Sequence, residues 1–356
     1  QPWLWWAGFR AVLSGSEKLS RLRQAWRKIE NEKCTSAQPY RRSKLQYVAD
    51  IIPCRVSVLI PTLRRYPYLR TLLGQLRAQS VSPLEILVID QTPENMRDTD
   101  LLQDFDDLPI RYFTMDQAGQ CASRNLGLQE ARGDYILFID DDDEIEPDLI
   151  EKHLLTLHHL EVNISNGVAH EVGAGDLPPD FRFMRISSGF PTNNTLIRKS
   201  VLAKSGLFDL AYDHGQRADH DLGMRLYLAG DMLVLNPDIQ VLHHHAPMGG
   251  LREHKARVNT RASSRKKIFN RNLPSVSDMY LVKRYYSKRQ VKEKLWISVL
   301  STFSLEGSLW KRIFKGFFGF VVLPHTVWVL NQRARIADEM LNIFPQIPHL
   351  LGKVSS

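Results

Sequence analysis

The stretch YILFIDDDD, residues 135–143, is the most informative part of the chain because it places four carboxylates directly behind a continuous apolar run. A run such as 135–139 is typical of a strand that is buried on both faces of a sheet. Adjacent carboxylates repel one another unless a positive group joins them. Mg²⁺ and Mn²⁺ take oxygen ligands, so the stretch predicts a divalent metal site. The alternative is an acidic turn that caps a helix starting near Pro147.

Short apolar segments alternate with helical segments on either side of this stretch. The predicted strands lie at 56–60, 85–89, 109–113 and 134–139, and the predicted helices at 68–79, at 119–131 and after Pro147. Such alternation indicates a parallel sheet that is covered by helices on both faces. Ligands bind at the carboxyl ends of the strands in these sheets, so we expect Asp90 and Asp140 to line one crevice.

The composition is that of a globular protein of one large domain or two, with 356 residues, 43% of them hydrophobic and 24% charged. Its three cysteines, Cys34, Cys54 and Cys121, are scattered and form no paired spacing. This argues against a disulfide framework or a zinc site and favours a reducing compartment. We find no secretory signal with a cleavage site, so we expect a cytoplasmic protein.

The positive charge is concentrated in one stretch of the chain. The net charge is +8, but residues 252–294 alone hold 14 Lys or Arg against 3 Asp or Glu. This stretch suits phosphate-rich partners such as anionic lipid, nucleic acid or a pyrophosphate-carrying substrate, or it is a solvated helical face. Since no nucleic-acid motif accompanies it, we expect no nucleic-acid partner.

Tryptophan is confined to the two ends of the chain, at residues 3–26 and 296–328. With flanking Lys and Arg, it indicates amphipathic helical arms at 1–52 and 251–356 around a central domain at 53–250. The run 317–330 is interrupted by Pro324 and is shorter than the roughly 20 residues of a spanning helix. We therefore expect peripheral contact at the inner face of the cell membrane, unless the arms pack on each other or form a dimer contact.

Four segments of the middle region follow an order that is typical of one enzyme family. They are VLIPTLRR at 58–65, ILVID at 86–90, GQCASRNLG at 119–127 with ARGDY at 131–135, and FIDDDD at 138–143 with Pro147 and Asp148. Together they resemble the inverting glycosyltransferase family 2. This resemblance implies the GT-A fold, a Rossmann-like, mostly parallel sheet with helices on both faces, here extended by the N- and C-terminal amphipathic helical arms.

The resemblance also implies a donor site for a nucleoside diphosphate sugar, with UDP as the expected nucleotide. The residues that match donor-binding positions are Pro61, Thr62, Arg65, Asp90, Arg124, Asp140 and Asp141. Asp90 would recognise the base, Arg124 the base or a phosphate, and Asp140 or Asp141 the ribose or sugar hydroxyls. Asp142 would hold Mn²⁺ or Mg²⁺, with help from the His243–His245 triplet, of which His243 and His245 are the candidate ligands.

A weaker likeness extends to ADHDLGMRL at 218–226, where Ala218 replaces the Glu that is usual in the family. Asp219 in this segment is our candidate general base, since a carboxylate facing the donor can take the acceptor proton. Asp219 or Asp221 could instead cap the helix. The resulting prediction is a metal-dependent, inverting hexosyltransferase of polysaccharide biosynthesis that acts on a hydroxyl of a glycan or a lipid-linked acceptor.

Two other classes of protein remain open at this point. A metal-dependent nucleotidyltransferase also uses an α/β sheet and clustered carboxylates, but it usually has a glycine-rich phosphate loop, and residues 61–65 contain no glycine. A degenerate transferase that acts as a binding module would have lost its carboxylates. The Asp140–Asp143 run and Asp219 are both present.

Overall fold

The computed structural model describes residues 55–173, 175, 177–187, 189–246, 273–300 and 309–350. The predicted N-terminal arm, and most of the basic part of the C-terminal region, lie outside these residues. The strands are β1 Val56–Thr62, β2 Glu85–Asp90, β3 Ile110–Thr114, β4 Tyr135–Phe138, β5 Asp143–Ile145, β6 Ile164–Glu171, β7 Arg185–Ser187, β8 Thr195–Arg198 and β9 Leu233–His243.

Helices lie between these strands and after the last of them. They are α1 Tyr66–Arg77, α2 Leu101–Asp104, α3 Gln120–Glu130, α4 Leu149–Leu160, α5 Leu202–Ser205, α6 Ala218–Leu228, α7 Val276–Tyr285, α8 Lys288–Leu300 and α9 Leu309–Ile343. Four single 3₁₀ turns add Glu94–Met96, Pro179–Phe181, Lys199–Val201 and Leu210–Tyr212.

The nine strands form one sheet in the order β3-β2-β1-β4-β8-β6-β9-β5, and β7 pairs with β9. Strands β3, β2, β1 and β4 run parallel to one another, at the positions predicted from the sequence. Beyond β4 the sheet is mixed, since β8 is antiparallel to both β4 and β6, while β6 and β9 are parallel. The predicted α/β class is therefore confirmed.

Apolar residues cover both faces of the sheet. On β1, Val58 and Ile60 join the core beneath α1 and α4, whereas Leu59 points to the core beneath α3 and α6. This follows from the alternation of side chains along a strand. The second core also takes in Tyr280 of α7 and Ala337 of α9, so the C-terminal helices pack on the sheet domain.

The longest helix differs from the sequence-based expectation. We expected Pro324 to interrupt the apolar run, but α9 continues through it and is 35 residues long in total. A proline inside a helix removes one backbone hydrogen bond. Packing around the proline compensates, since Val322, Thr326 and Leu330 are buried. Within the described ranges, no helix has both the length and the apolar character needed to cross a bilayer.

Candidate active site

The parallel strands bring three of the predicted residues to one edge of the sheet. Thr62 ends β1 and lies opposite Asp90, the last residue of β2. Asp141 follows β4, the other neighbour of β1, and its Oδ2 accepts a hydrogen bond from the Thr62 hydroxyl at 2.8 Å. The carboxyl ends of β1 and β4 therefore hold the centre of the predicted donor site.

Arg65 joins two of the four carboxylates at this edge. Its Nη1 donates to Asp141 Oδ1 at 3.0 Å and lies 3.1 Å from Asp142 Oδ1. All three side chains are buried. Burial raises the pKa of Asp141 to about 7, although the charge of Arg65 opposes this rise. Arg65 thus supplies the positive group that the crowded carboxylates were expected to need.

The two carboxylate oxygens of Asp142 have different partners. Its Oδ2 accepts from the backbone N–H of Ala246 at 2.8 Å, whereas its buried Oδ1 accepts no hydrogen bond from the residues that the structure describes. Around it, no group of three or more His, Cys, Asp or Glu side chains is arranged to hold a metal ion, as far as the described chain extends. Mg²⁺, however, commonly binds through one or two carboxylates, substrate phosphates and water. The donor set fits a metal of that kind, which would compete with Arg65 for Asp142 Oδ1.

The predicted histidine ligands have carboxylate partners of their own. Because β5 pairs with β9, Asp143 lies opposite His243, and His243 Nδ1 is 2.8 Å from Asp143 Oδ1 but 3.6 Å from Asp142 Oδ1. Burial lowers the pKa of His243, but the bond to Asp143 and the surrounding carboxylates raise it to about 9. His245 pairs with Glu171 at 2.9 Å. Of these two histidines, His243 is therefore the one that contacts the carboxylate run.

Arg124 lies beside the first carboxylate of the run. Its Nη2 donates to Asp140 Oδ1 at 2.6 Å, and its Nη1 donates to the carbonyl of Gln120 at 3.0 Å. Asp140 is the most exposed carboxylate of the run, with about a quarter of its side chain accessible. This pair lies at the rim of the site, where a ligand can reach it.

Asp90 is more deeply buried than a residue that recognises a nucleotide base needs to be. Its Oδ1 accepts from the backbone N–H of Thr92 at 2.8 Å, and its Oδ2 accepts from the hydroxyls of Tyr66, at 2.6 Å, and Tyr112. The carboxylate is fully buried. Contact with a nucleotide base would require one of these tyrosines to give up its bond. Sequence reasoning missed both tyrosines, since nothing in their spacing indicates that they meet at β2.

Asp219 lies in the first turn of α6, and its carbonyl accepts from the backbone N–H of Phe190, which packs against Phe138 at the end of β4. Its half-buried side chain is 2.9 Å from His220 Nδ1. Arg217, in the left-handed region with φ of 89°, lies 3.3 Å from His220 Nε2 and donates to Asp278 of α7 at 2.6 Å. Burial alone would raise the pKa of Asp219, but His220 and Arg217 lower it below the ordinary value. Asp219 is therefore a carboxylate that stays ionised at neutral pH.

A further carboxylate, Asp213, was not anticipated from the sequence. Its Oδ1 accepts from the backbone N–H groups of Cys121, at 2.7 Å, and Ala122, at 2.9 Å, at the start of α3. A negative group is favourable at this end of a helix. A Cβ atom on Gly119 would approach Asp213 Oδ2 to 2.2 Å, so this approach requires glycine. Asp213 thereby fixes the start of the helix that carries Arg124.

Comparison with known proteins identifies the sheet domain. The model of the family "Glycosyl transferase family 2" matches residues 57–205, from β1 to the end of α5. The uncharacterized glycosyltransferase YwdF of Bacillus subtilis is 29% identical over 168 residues, which cover 44% of this chain and 62% of that protein. An uncharacterized glycosyltransferase of Haemophilus influenzae is 32% identical over 115 residues, which cover 31% of this chain and 46% of that protein. The chain thus spans less than two thirds of the length of these relatives.

One solved structure, GalNAc-T7 with UDP, GalNAc and Mn²⁺, has a TM-score of 0.53 and 12% identity, covering 82% of this chain and 58% of that one. At this identity the likeness concerns the fold alone, and it agrees with the GT-A fold expected from the sequence. The family model and the relatives indicate a glycosyltransferase, and the fold agrees with them. Residues 57–205, from β1 to the end of α5, thus match glycosyl transferase family 2.

Proposed function

We propose that this protein transfers a hexose from a nucleoside diphosphate sugar, with UDP as the nucleotide, to a hydroxyl of a glycan or a lipid-linked acceptor. The observation that carries the proposal is the buried cluster of Thr62, Arg65, Asp141 and Asp142 at the carboxyl ends of β1 and β4. Ligands of open α/β sheets bind at this edge. The cluster offers a cation for phosphate, Arg65, and a carboxylate oxygen, Asp142 Oδ1, for which a metal would compete with that cation.

Each part of the donor has a partner of suitable chemistry. Arg124 is a charge-assisted donor for a phosphate or the base, and Asp140 beside it can accept from sugar or ribose hydroxyls. Pro61 and Thr62 end β1 and form the floor under the nucleotide. Asp142 would hold Mn²⁺ or Mg²⁺ through Oδ1, and His243 is the nearest imidazole. That ion would supply positive charge to the leaving diphosphate.

Asp219 is the general base of the proposed reaction. As the acceptor oxygen forms its bond to the anomeric carbon, the bond from that carbon to the diphosphate oxygen breaks, and the nucleoside diphosphate leaves with the electron pair. Asp219 takes the acceptor proton, since its lowered pKa keeps the carboxylate deprotonated. Attack in line with the leaving group inverts the anomeric configuration in one displacement.

We place this reaction at the cytoplasmic face of the cell membrane, in the synthesis of a polysaccharide. Two features support the location. The three cysteines show no paired spacing, and residues 252–294 carry a strong excess of basic residues. An acceptor that is anchored in the membrane would be within reach of a protein held there.

A thermal-unfolding screen tests the donor site. The protein is heated with UDP, UDP-sugars, ADP or GDP, each with Mn²⁺, Mg²⁺ or EDTA, since a ligand that binds the folded state raises the melting temperature. We expect the largest rise with UDP or a UDP-sugar and a divalent metal. The Asp142→Asn variant should lose the part of the rise that depends on the metal.

The matched control is Asp148→Asn, which changes a half-buried carboxylate that pairs with Lys152 at the start of α4. It should keep the wild-type response to every ligand. The proposal fails if no nucleoside diphosphate raises the melting temperature, or if Asp142→Asn responds to metal and nucleotide as the wild type does.

A further inference from the structure

Helix α9 has apolar residues on two opposite faces. One face is buried against the protein and includes Thr326, Leu330 and Ala337. Arg333 and Lys283 tie this side to the segment around α7 through backbone carbonyls. This packing accounts for one face of the helix and leaves the other turned outward.

The outward face carries five large apolar residues, Trp310, Ile313, Phe317, Val321 and Trp328, which we call the α9 stripe. Their spacing of three, four, four and seven residues places them on one side of an α-helix. They are between 55% and 80% exposed. At about 1.5 Å per residue, the stripe is roughly 27 Å long.

The sheet domain has no comparable surface among its described residues. Its most exposed large apolar residues, Met96 and Leu228, reach 51% and are not neighbours in the sequence. At the end of α8, by contrast, Trp296, Ile297 and Leu300 are also about 60% exposed or more. Soluble proteins rarely expose long contiguous apolar surfaces unless these surfaces bind something.

The charge around the stripe indicates what it binds. From residue 309 to residue 337 the sequence has five basic residues and no acidic residue, and α8 has four basic residues against Glu293. Tryptophan and phenylalanine beside Lys and Arg are typical of the boundary between lipid headgroups and acyl chains. A second copy of this chain would bring the same positive charge to the contact, which disfavours self-association.

We propose that the α9 stripe docks on an anionic lipid bilayer, with α9 lying along the surface of the membrane. The buried opposite face fixes this orientation, because only one side of the helix is available to lipid. Anionic headgroups would attract the basic residues, while the stripe enters the boundary with the acyl chains. The docking itself does not depend on the proposed transfer reaction.

The contacts of α7 connect this surface to the acceptor side of the candidate site. Tyr285 donates to Asp221 at 2.6 Å, two residues beyond the proposed base, and Tyr280 donates to Asp209 at 2.8 Å. Asp278 holds Arg217 at 2.6 Å. If the proposed function holds, docking would therefore bring the acceptor side of the site close to a membrane-anchored substrate.

Vesicle flotation of the full chain tests the proposal. The vesicles contain either phosphatidylcholine alone or phosphatidylcholine with roughly one quarter phosphatidylglycerol. We expect the wild type to float with the anionic vesicles, and less so at high salt. The combined variant Trp310→Ser, Phe317→Ser and Trp328→Ser should lower the partition coefficient by about tenfold or more, since it removes most of the apolar area of the stripe.

The matched control is Met96→Ser with Leu102→Ser, which removes exposed apolar residues from the sheet domain. It should float as the wild type does. Circular dichroism and protection by nucleotide should be unchanged in both variants, which separates docking from folding and from donor binding. The proposal is overturned if the stripe variant floats like the wild type. It is equally overturned if the wild type floats with neither kind of vesicle. A dimer that the stripe variant abolishes would then identify a second copy of the chain as the partner of the stripe.

Discussion

The sheet domain and helix α9 are both rich in large apolar residues, but they place them differently. Phe138 of β4 is 1% exposed and packs edge-to-face against Phe190 and Phe208, whereas Phe317 of α9 is 68% exposed. A sheet with helices on both faces has an interior position for every apolar residue of a central strand. A helix that lies on the outside of a domain has only one face to bury.

The polar residues of the two regions differ in the same way. At the carboxyl edge of the sheet, buried charges are held by specific partners, such as Arg65 between Asp141 and Asp142. On α9 the basic residues lie along a surface helix and few acidic residues accompany them. Under the two proposals, the first region would bind a ligand of fixed geometry, and the second would bind an extended surface.

The largest effect should come from the proposed base in the sheet domain. Asp219→Asn keeps the size of the side chain but cannot take a proton, so we expect kcat to fall by about 10²–10⁴-fold. Donor protection in thermal unfolding and flotation with anionic vesicles should stay at the wild-type level. The measurement is sugar transfer to acceptor, together with those two assays.

Asp148→Asn again serves as the control for removal of a half-buried carboxylate at the start of a helix. A transfer rate for Asp219→Asn within a few-fold of the wild type would show that Asp219 is not the general base. A loss of flotation along with activity would show that the two regions do not act separately.

The same substitution in the two regions should have unequal effects on stability. Phe138→Ala leaves a cavity beside Phe190 and Phe208, so we expect it to lower the free energy of unfolding by about 3–5 kcal/mol. Phe317→Ala removes an exposed side chain and should change it by less than about 0.5 kcal/mol. Denaturant unfolding of both variants measures the difference, and similar losses would mean that the α9 stripe is covered in solution.

The parallel half of the sheet was predictable because its signal is local. Each of β1, β2 and β4 contains an apolar run, and a polar residue lies at or just beyond its carboxyl end. The strand order then brings Thr62 and Asp141 together without further information. Predicted strands and helices in this half agree with those observed to within a few residues.

The partners inside the site were not predictable, because they depend on side chains that meet only in the folded sheet. Arg65 stands between two carboxylates, Tyr66 and Tyr112 bind Asp90, and His243 pairs with Asp143 more closely than with Asp142. Nor did the sequence show that α9 would continue through its proline. Local propensity disfavours such a helix, and the burial of Val322 and Thr326 on either side of Pro324 outweighs that preference.

The last effect concerns a buried histidine of the sheet domain. His153 of α4 is fully buried between Ser165 and Asn194, each at 2.9 Å. Burial lowers its pKa to about 4, against the effect of these two bonds. In the unfolded chain the imidazole titrates near 6.5, so between these values the unfolded state binds more protons than the folded state.

The contribution of His153 to stability is therefore fully present above about pH 6.5 and is lost as the pH falls toward 4. The loss should be on the order of 3 kcal/mol, measured as the pH dependence of denaturant unfolding. His153→Gln keeps a hydrogen-bonding side chain that does not titrate, so its unfolding free energy should depend less steeply on pH in this range. His158→Gln, an exposed residue of the same helix, should keep the wild-type slope. Parallel slopes for the wild type and His153→Gln would mean that this imidazole is not held neutral by burial, because a group that titrates equally in both states contributes no slope.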